Sequence, residues 1–382
     1  MNILILKDVP GEIKTEKMTY NIQEIGLAIA LRKKGHSADI MCCSDDGTYH
    51  ERQVTIDDQS LKIFSVRAIK KFRNGIPLNV DHILEKYDIL HVSEYNELYT
   101  WHLAKKYSNK MICYHGPYFS RFNKNYNRMA RFFDFIFLSR YKKFNTQFIT
   151  KSDLAADYLK RKGLKNVEAI GVGINAGFLS SNTNESLPII NEIKSEKKLK
   201  LLYIGTIERR RNTLFILDIM NELNKKGVAH NLILIGKYND KSYQKEFEEK
   251  IEKLHLQKQI EYIPRMEQKY LGQVYQNCDI FLLPTIYDIY GMVLLEAMYF
   301  GVPVLTTING GSNMMIADGK NGFVFDDFDV KKWSCCIERL SKDSQTVKNI
   351  GMNAHETIVN KFTWDKLAEK FIDVYKRKIQ LG

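Results

Sequence analysis

Short apolar runs, each bounded by polar residues or glycine, recur along the whole chain. In the first half they are NILILK, SADIMCC, LKIFSVRA, DILHVS, KMICYHG and TQFITKS. A stretch ending in IGLAIALRKKGH, between the first two, carries a helical pattern. Continuous apolar runs mark strands buried on both faces, and their alternation with helices predicts a parallel sheet covered by helices. The pattern breaks at 173–198, GINAGFLSSNTNESLPIINEIKSEKK, which is polar, rich in Ser and Asn, and read as a linker. It then restarts with LKLLYIG, a helix over 213–226, HNLILIG, a helix over 242–255, QIEYIP, CDIFLLPT, a short helix within 288–304 and VPVLTT. The final FTWDKLAEKFIDVYKRKI sets apolar residues at 362, 364, 367, 371, 374 and 375, the stripe of an amphipathic helix.

Each half thus reads as its own Rossmann-like α/β sheet, and ligands of such sheets bind outside the carboxyl ends of the strands. The length of 382 residues suits two domains better than one core. Hydrophobic residues at 44% and charged residues at 27% fit a globular chain. No uninterrupted apolar run approaches the roughly 18 residues that span a bilayer. Asp8 and Pro10 follow the first run so closely that it reads as a strand and not a secretory signal. Six cysteines with no CxxC and no zinc-like spacing are expected to be free thiols in a reducing cytosol. The net charge of +12 favours anionic partners, whether nucleic acid, acidic lipid or phosphorylated ligands, or simply reflects solvated lysines.

Four constellations could carry chemistry. In LLYIGTIERRRN, 201–212, a strand ends at Gly205 and three arginines follow; guanidinium groups there suit phosphate oxygens, or form a solvated basic turn. In DIYGMVLLEAMYFGVPV, 288–304, Gly291 allows close backbone approach, and the amides of Met292 and Val293 open a helix, an anion site. Glu296 in that helix could hold a diol such as a ribose, and Asp288 a second polyol, the outline of a nucleotide sugar. The structural alternative makes Asp288 a helix-end charge and Glu296 a partly exposed helix residue. In MICYHGPY, His115 stands just past a strand end, in a loop, as a proton donor or a structural histidine. Finally, 121–143 has seven basic residues and one acid, Asp134. On a helical wheel Arg121, Lys124, Arg128 and Arg131 share one face, with Phe122, Tyr126, Met129, Phe133 and Ile136 roughly opposite. That pattern suits an interfacial helix on anionic lipid, or a core-packed helix with a basic outer face.

Taken together, these residues resemble the retaining, GT-B-fold glycosyltransferases of family 4 (group 1). The resemblance rests on Asp288–x₇–Glu296 with Gly291, the GVPV strand at 301–304, GGSNMMIADGKNGFVF, IGTIERRRN, LRKKGHSADI, CYHGPY and the final FTWDKLAEKF, in the family's order. It implies two Rossmann-like domains facing across a cleft. Residues 1–175 would form the acceptor domain, joined by a crossover helix at 362–382, and 198–361 the donor domain. It also implies Glu296 on the ribose, Asp288 on donor-sugar hydroxyls, and Met292 and Val293 amides on the diphosphate. Arg211 would stand where the family has Lys, clamping that diphosphate, and His115 would approach the sugar. Gly205, Thr206 and Arg210 belong to the same phosphate loop. No metal is implied, since cations and a helix terminus neutralise the leaving diphosphate.

Departures are plain. The first acid is Asp and not Glu, Thr206 replaces an Arg, with Arg209 or Arg210 as substitutes, Asn212 replaces a Gly, and Asn313 replaces a Glu. The first loop keeps only Gly11 of a double glycine. The expectation is a cytoplasmic, membrane-peripheral glycosyltransferase that moves a hexose or derivative from a nucleotide diphosphate sugar, UDP foremost, to a glycan or lipid-linked acceptor in cell-surface polysaccharide assembly. The acceptor side would be built by 8–20, 93–101 and 116–130, with an anionic membrane surface meeting 121–143. The alternatives are a weakened homologue that binds glycan or a partner, and a nucleotide-sugar epimerase of the same fold. No platform or groove-reading motif supports nucleic-acid binding.

Overall fold

The computed structural model describes residues 1–7, 11–13, 22–71, 74–175 and 187–381. Its contacts divide the chain into one unit of 1–175 with 363–382 and a second of 176–362.

The first unit contains β1 (Asn2–Lys7), β2 (Ser37–Cys43), β3 (His50–Ile56), β4 (Gln59–Val66), a small ribbon of β5 (Ala68–Lys71) and β6 (Asn74–Pro77), β7 (Ile89–Ser93), β8 (Met111–His115), β9 (Gln147–Thr150) and β10 (Val167–Ala169). The main sheet runs β10–β9–β8–β7–β1–β2–β4–β3. It is parallel throughout except for β3, which returns antiparallel to β4. Central β1 pairs Ile3 with Ala38 on one side and with Ile89 on the other. Its Ile3–Leu6 run is buried, as a strand covered on both faces requires. The β3–β4 hairpin was not expected from the apolar runs, because β3 is half-exposed and mostly polar. Its turn is Asp57–Asp58, both at positive φ, the geometry that matches strand twist in a two-residue hairpin.

The terminal helix Trp364–Leu381 packs in this first unit. The apolar positions read from the sequence, Phe362, Trp364, Leu367, Phe371, Val374 and Tyr375, are all buried. Trp364 fills the space over two glycines: a Cβ at Gly26 would lie 2.3 Å from its ring, and one at Gly173 2.5 Å. Tyr375 OH lies 2.7 Å from Nδ1 of buried His91, an uncharged histidine whose pKa burial pushes down to about 3.

In the second unit, β11 (Leu199–Ile204), β12 (His230–Ile235), β13 (Ile260–Ile263), β14 (Ile280–Leu283), β15 (Val304–Thr307) and β16 (Phe323–Phe325) form one parallel sheet in the order β13–β12–β11–β14–β15–β16. The strand order reverses between β11 and β14, so the crevice beyond their carboxyl ends is the topological switch point.

Two expectations need correction. The polar 173–198 stretch is not wholly a linker: part lies outside the described residues, but Pro188–Ser195 is a helix that buries Ile190 and Ile193. The basic helix starts at Lys124, capped by the Asn123 side chain, and is rotated from the expected wheel by roughly a quarter turn. It buries Asn127, Ala130, Phe133 and Tyr141, leaving Met129 and Ile136 in solvent. Helical periodicity defines the stripes, but packing against the rest of the unit chooses which one turns inward. The acceptor-side loop expected at 8–20 lies largely outside the described residues. All six cysteines are free thiols.

Candidate functional site

The two loops that leave the switch point of the second unit are tied to each other. After β11 the chain turns at Gly205, where φ is +148°. A Cβ at the neighbouring turn residue Gly236 would lie 1.8 Å from Gly205 O, so the two loops need glycine to approach. Arg209–Arg211 form one 3₁₀ turn, ended by Asn212 at φ +52°. The glycine expected at 212 is thus replaced by the side chain that best tolerates the left-handed region.

The three arginines diverge. Arg209 turns away to Glu246 at 2.7 Å. Arg210 donates through Nη1 to Tyr287 O at 2.9 Å and through Nη2 to Glu208 Oε1 at 2.7 Å. Its own carbonyl accepts from Ile286 N at 2.9 Å. Arg211 forms a direct ion pair with Asp288, and Arg210 Nη1 stands 4.0 Å from the other carboxylate oxygen. Burial pulls the Arg211 pKa down and the Asp288 charge more than restores it, so the guanidinium stays charged. Asp288 is itself 8% exposed. In this structure, therefore, the carboxylate expected on a sugar and the cation expected on a phosphate hold one another. Thr206 is exposed, and its carbonyl accepts from Tyr203 OH at 2.7 Å.

After β14 the chain reaches Gly291 at φ +82°, the N-cap of the Met292–Tyr299 helix. Met292 and Val293 open that helix, whose N-terminus carries the positive end of the helix dipole. The loop 309–312 closes over this entrance. A Cβ at Gly310 would lie 1.7 Å from Ile289 O, and one at Gly311 2.1 Å from Tyr290 O. Asn309, which the motif reading passed over, holds the loop: its Oδ1 accepts from Gly311 N and Ser312 N, and its Nδ2 donates to Thr306 Oγ1 and Thr307 O. Asn313 is exposed.

Glu296 is not a partly exposed helix residue. It is 3% exposed and accepts a hydrogen bond from Tyr275 OH at 2.9 Å. Burial lifts its pKa to about 7, the Tyr275 hydrogen bond opposing. A carboxyl group poised there can accept from a diol once ionised.

In the first unit His115 is the last residue of β8, not a loop residue, and its side chain is wholly buried. Its ring meets Tyr95 edge-on at 4.9 Å and stacks on Tyr158 at 6.1 Å. Nδ1 approaches Glu94 Oε2 to 2.7 Å, an ion-pair distance without hydrogen-bond alignment, and both ring nitrogens are buried with no hydrogen-bond partner among the described residues. Glu94, missed by the sequence reading, sits at φ +48°, and its Oε2 also accepts from Gly116 N. Lys151 Nζ approaches its other oxygen at 3.6 Å. Burial pushes the Glu94 pKa up, but His115, Lys151 and these hydrogen bonds together hold it below the ordinary carboxylate value. Three residues on, Glu97 has no such partners, and burial beside Glu94 raises it to about 7. The only sequence signal for Glu94 was its place at the end of an apolar run, the position at which a parallel sheet presents its ligand-binding groups.

Among the described residues no group of three or more His, Cys, Asp or Glu side chains is arranged to hold a metal ion. None of their helices is long and apolar enough to cross a membrane.

Comparison with known proteins gives two family matches: residues 25–178 to Glycosyltransferase Family 4 and residues 188–357 to Glycosyl transferases group 1. Among curated proteins, the D-inositol 3-phosphate glycosyltransferase of Corynebacterium diphtheriae is 35% identical over 105 residues, 28% of this chain and 24% of that protein. The matched stretches span about a quarter to a half of the length of such relatives. Among solved structures, a glycosyltransferase from Rickettsia africae aligns with a TM-score of 0.74 at 17% identity, over 100% of this chain and 99% of that one. Anabaena Alr3699/HepE in complex with UDP-glucose aligns at 0.69 and 14% identity, over 99% and 100%. At these identities the structural likeness speaks for the fold, that of GT-B glycosyltransferases.

Proposed function

The chain belongs to the group 1, family 4 glycosyltransferases, and from that premise we propose that it is a retaining hexosyltransferase using a nucleotide diphosphate sugar, UDP foremost. The observation that carries the reading is the switch-point cradle of the second unit, where Arg210 and Arg211 on one loop meet Asp288 on the next, just ahead of the Gly291 turn and the helix that carries the buried Glu296. In that cradle Glu296 would accept the ribose hydroxyls. The Met292 and Val293 amides and Arg211 would take the diphosphate, and Asp288 would be released from Arg211 to meet the sugar. Moving the Arg211 guanidinium from a carboxylate to a phosphate exchanges one anionic partner for another. Relatives support the choice of base: Alr3699/HepE is described with UDP-glucose bound.

The transferred sugar passes through an oxocarbenium-like state, and the departing diphosphate helps deprotonate the acceptor hydroxyl while the cradle stabilises its negative charge. His115 would donate from Nε2 to the sugar, with Glu94 fixing the ring through Nδ1. In this reading no metal is needed. The acceptor is a glycan or lipid-linked hydroxyl compound of cell-surface polysaccharide assembly, met on the cytoplasmic side of a membrane.

The test is to incubate the protein with a panel of nucleotide sugars and follow slow hydrolysis by mass spectrometry, alongside the UDP-induced rise in melting temperature. Release of UDP from one donor, with a thermal shift abolished in Glu296→Ala, is the expected result. No shift with any nucleotide would leave a glycan- or partner-binding homologue; turnover of the donor sugar without release of UDP would indicate an epimerase.

A further inference from the structure

The Lys124–Lys143 helix carries an outer face that the transferase chemistry does not use. Isolated exposed apolar side chains are ordinary, but clustered ones mark interaction surfaces. Among the described residues, six of the fifteen large apolar side chains recorded as exposed fall between 119 and 136. Four lie on this helix: Phe135 at 91%, Phe132 at 67%, Met129 at 65% and Ile136 at 46% exposed. Arg128, Phe132 and Phe135 follow one another at i, i+4 and i+7, so cation and aromatics share one stripe.

Charge decides what covers it. The helix's one acid, Asp134, is turned inward, accepting from Tyr95 OH at 3.0 Å and paired with Lys162. The outer face therefore presents Lys124, Arg128 and Arg131 with no acid of the helix beside them, and none of the three forms an ion pair among the described residues. A surface that must accept phenylalanine and methionine at the same depth as arginine has to be anionic and apolar together. A bilayer with acidic headgroups is such a surface, since arginine reaches the phosphate layer while the rings enter the acyl boundary.

We infer that this helix lies flat on an anionic membrane, inserting Met129, Phe132, Phe135 and Ile136, and that the acceptor is borne by that membrane. The face that docks keeps Met129 and Ile136 of the helical wheel's apolar side and adds Phe132 and Phe135, because Phe133 is spent on the core. The identity of the acceptor as lipid-borne rests on the transferase reading; the docking itself does not. The inner side of the same helix reaches β7's loop through Asp134 and Tyr95, whose ring abuts His115.

The experiment is co-sedimentation of the full chain with phosphatidylcholine vesicles prepared with and without phosphatidylglycerol, and no nucleotide present. The expected result is binding to the anionic vesicles alone, weakened by added salt. Phe132→Ser/Phe135→Ser and Arg128→Glu/Arg131→Glu should each cut the bound fraction about tenfold with unchanged melting temperature. Failure of the wild type to bind, equal binding to neutral vesicles, or binding by both double variants as by the wild type would overturn the inference. So would a dimer in solution that Phe132→Ser/Phe135→Ser dissolves, since the face would then belong to a second copy. Donor hydrolysis measured on the same preparations reports the transferase reading separately: docking without turnover would sink that reading and not the membrane surface.

Discussion

Glu94 Oε2 lies 2.7 Å from Nδ1 of His115, across the carboxyl ends of β7 and β8. A buried carboxylate beside that nitrogen restrains the ring, and in the proposed function Nε2 is the atom that would meet the donor sugar. On that proposal Glu94 would act through His115. In Glu94→Gln the proposed transferase should lose about 10²-fold in kcat with little change in donor KM, and its pH profile should shift. Adding His115→Ala to that variant should cost little more, because residues that act as a unit are not additive. Steady-state kinetics across pH on the two single variants and the double variant decides it.

Arg211 and Asp288 are both largely buried and hold each other, so removing one takes the nearest countercharge from the other. Arg211→Ala is expected to destabilise the second unit by about 3 kcal/mol, and Arg211→Met/Asp288→Leu by clearly less. Urea denaturation measures both. Donor binding should be lost in either variant, whereas Asp288→Glu should keep it and alter which sugar is preferred. Unchanged preference in competition assays would make the short side chain incidental.

Glu296 predicts a pH dependence of definite sign. Its pKa rises on folding from 4.5 to about 7, so the folded chain holds this proton more tightly than the unfolded one. The stability so conferred is full below the unfolded value and is lost as pH rises through about 7, by up to about 3 kcal/mol. Glu296→Gln should flatten that part of the melting-temperature profile. A UDP-sugar, whose diphosphate does not titrate in this range, should bind the wild type more tightly from pH 6 to pH 8 as the carboxylate forms, and Glu296→Gln should lack this trend in calorimetric titration.

Asn212 tests the backbone alone. At φ +52° a side chain other than glycine or asparagine is strained. Asn212→Gly should leave stability within a few tenths of a kcal/mol, while Asn212→Val should cost about 1–2 kcal/mol and weaken UDP binding by displacing the arginine turn. Chemical denaturation and thermal shift read the two effects.

The sequence by itself determined the parallel cores of the two sheets, without the antiparallel β3, and the buried stripe of the terminal helix. Both are local in cause: a strand covered on both faces must be apolar along its length, and a helix that packs must repeat its apolar side every turn. Gly291 at the helix entrance was legible too, whereas the close approaches that require Gly236, Gly310 and Gly311 emerged only from the fold. Only the tertiary structure decided which stripe of the 124–143 helix is buried, because that depends on the shape it packs against. It alone joined Arg211 to Asp288 and Glu94 to His115, residues 77 and 21 positions apart. It also enclosed Glu296, which rules out the partly exposed helix residue offered as the structural alternative and raises its pKa to about 7. Charge and residue type are written in the chain, but desolvation and pairing arise from what the fold brings beside them.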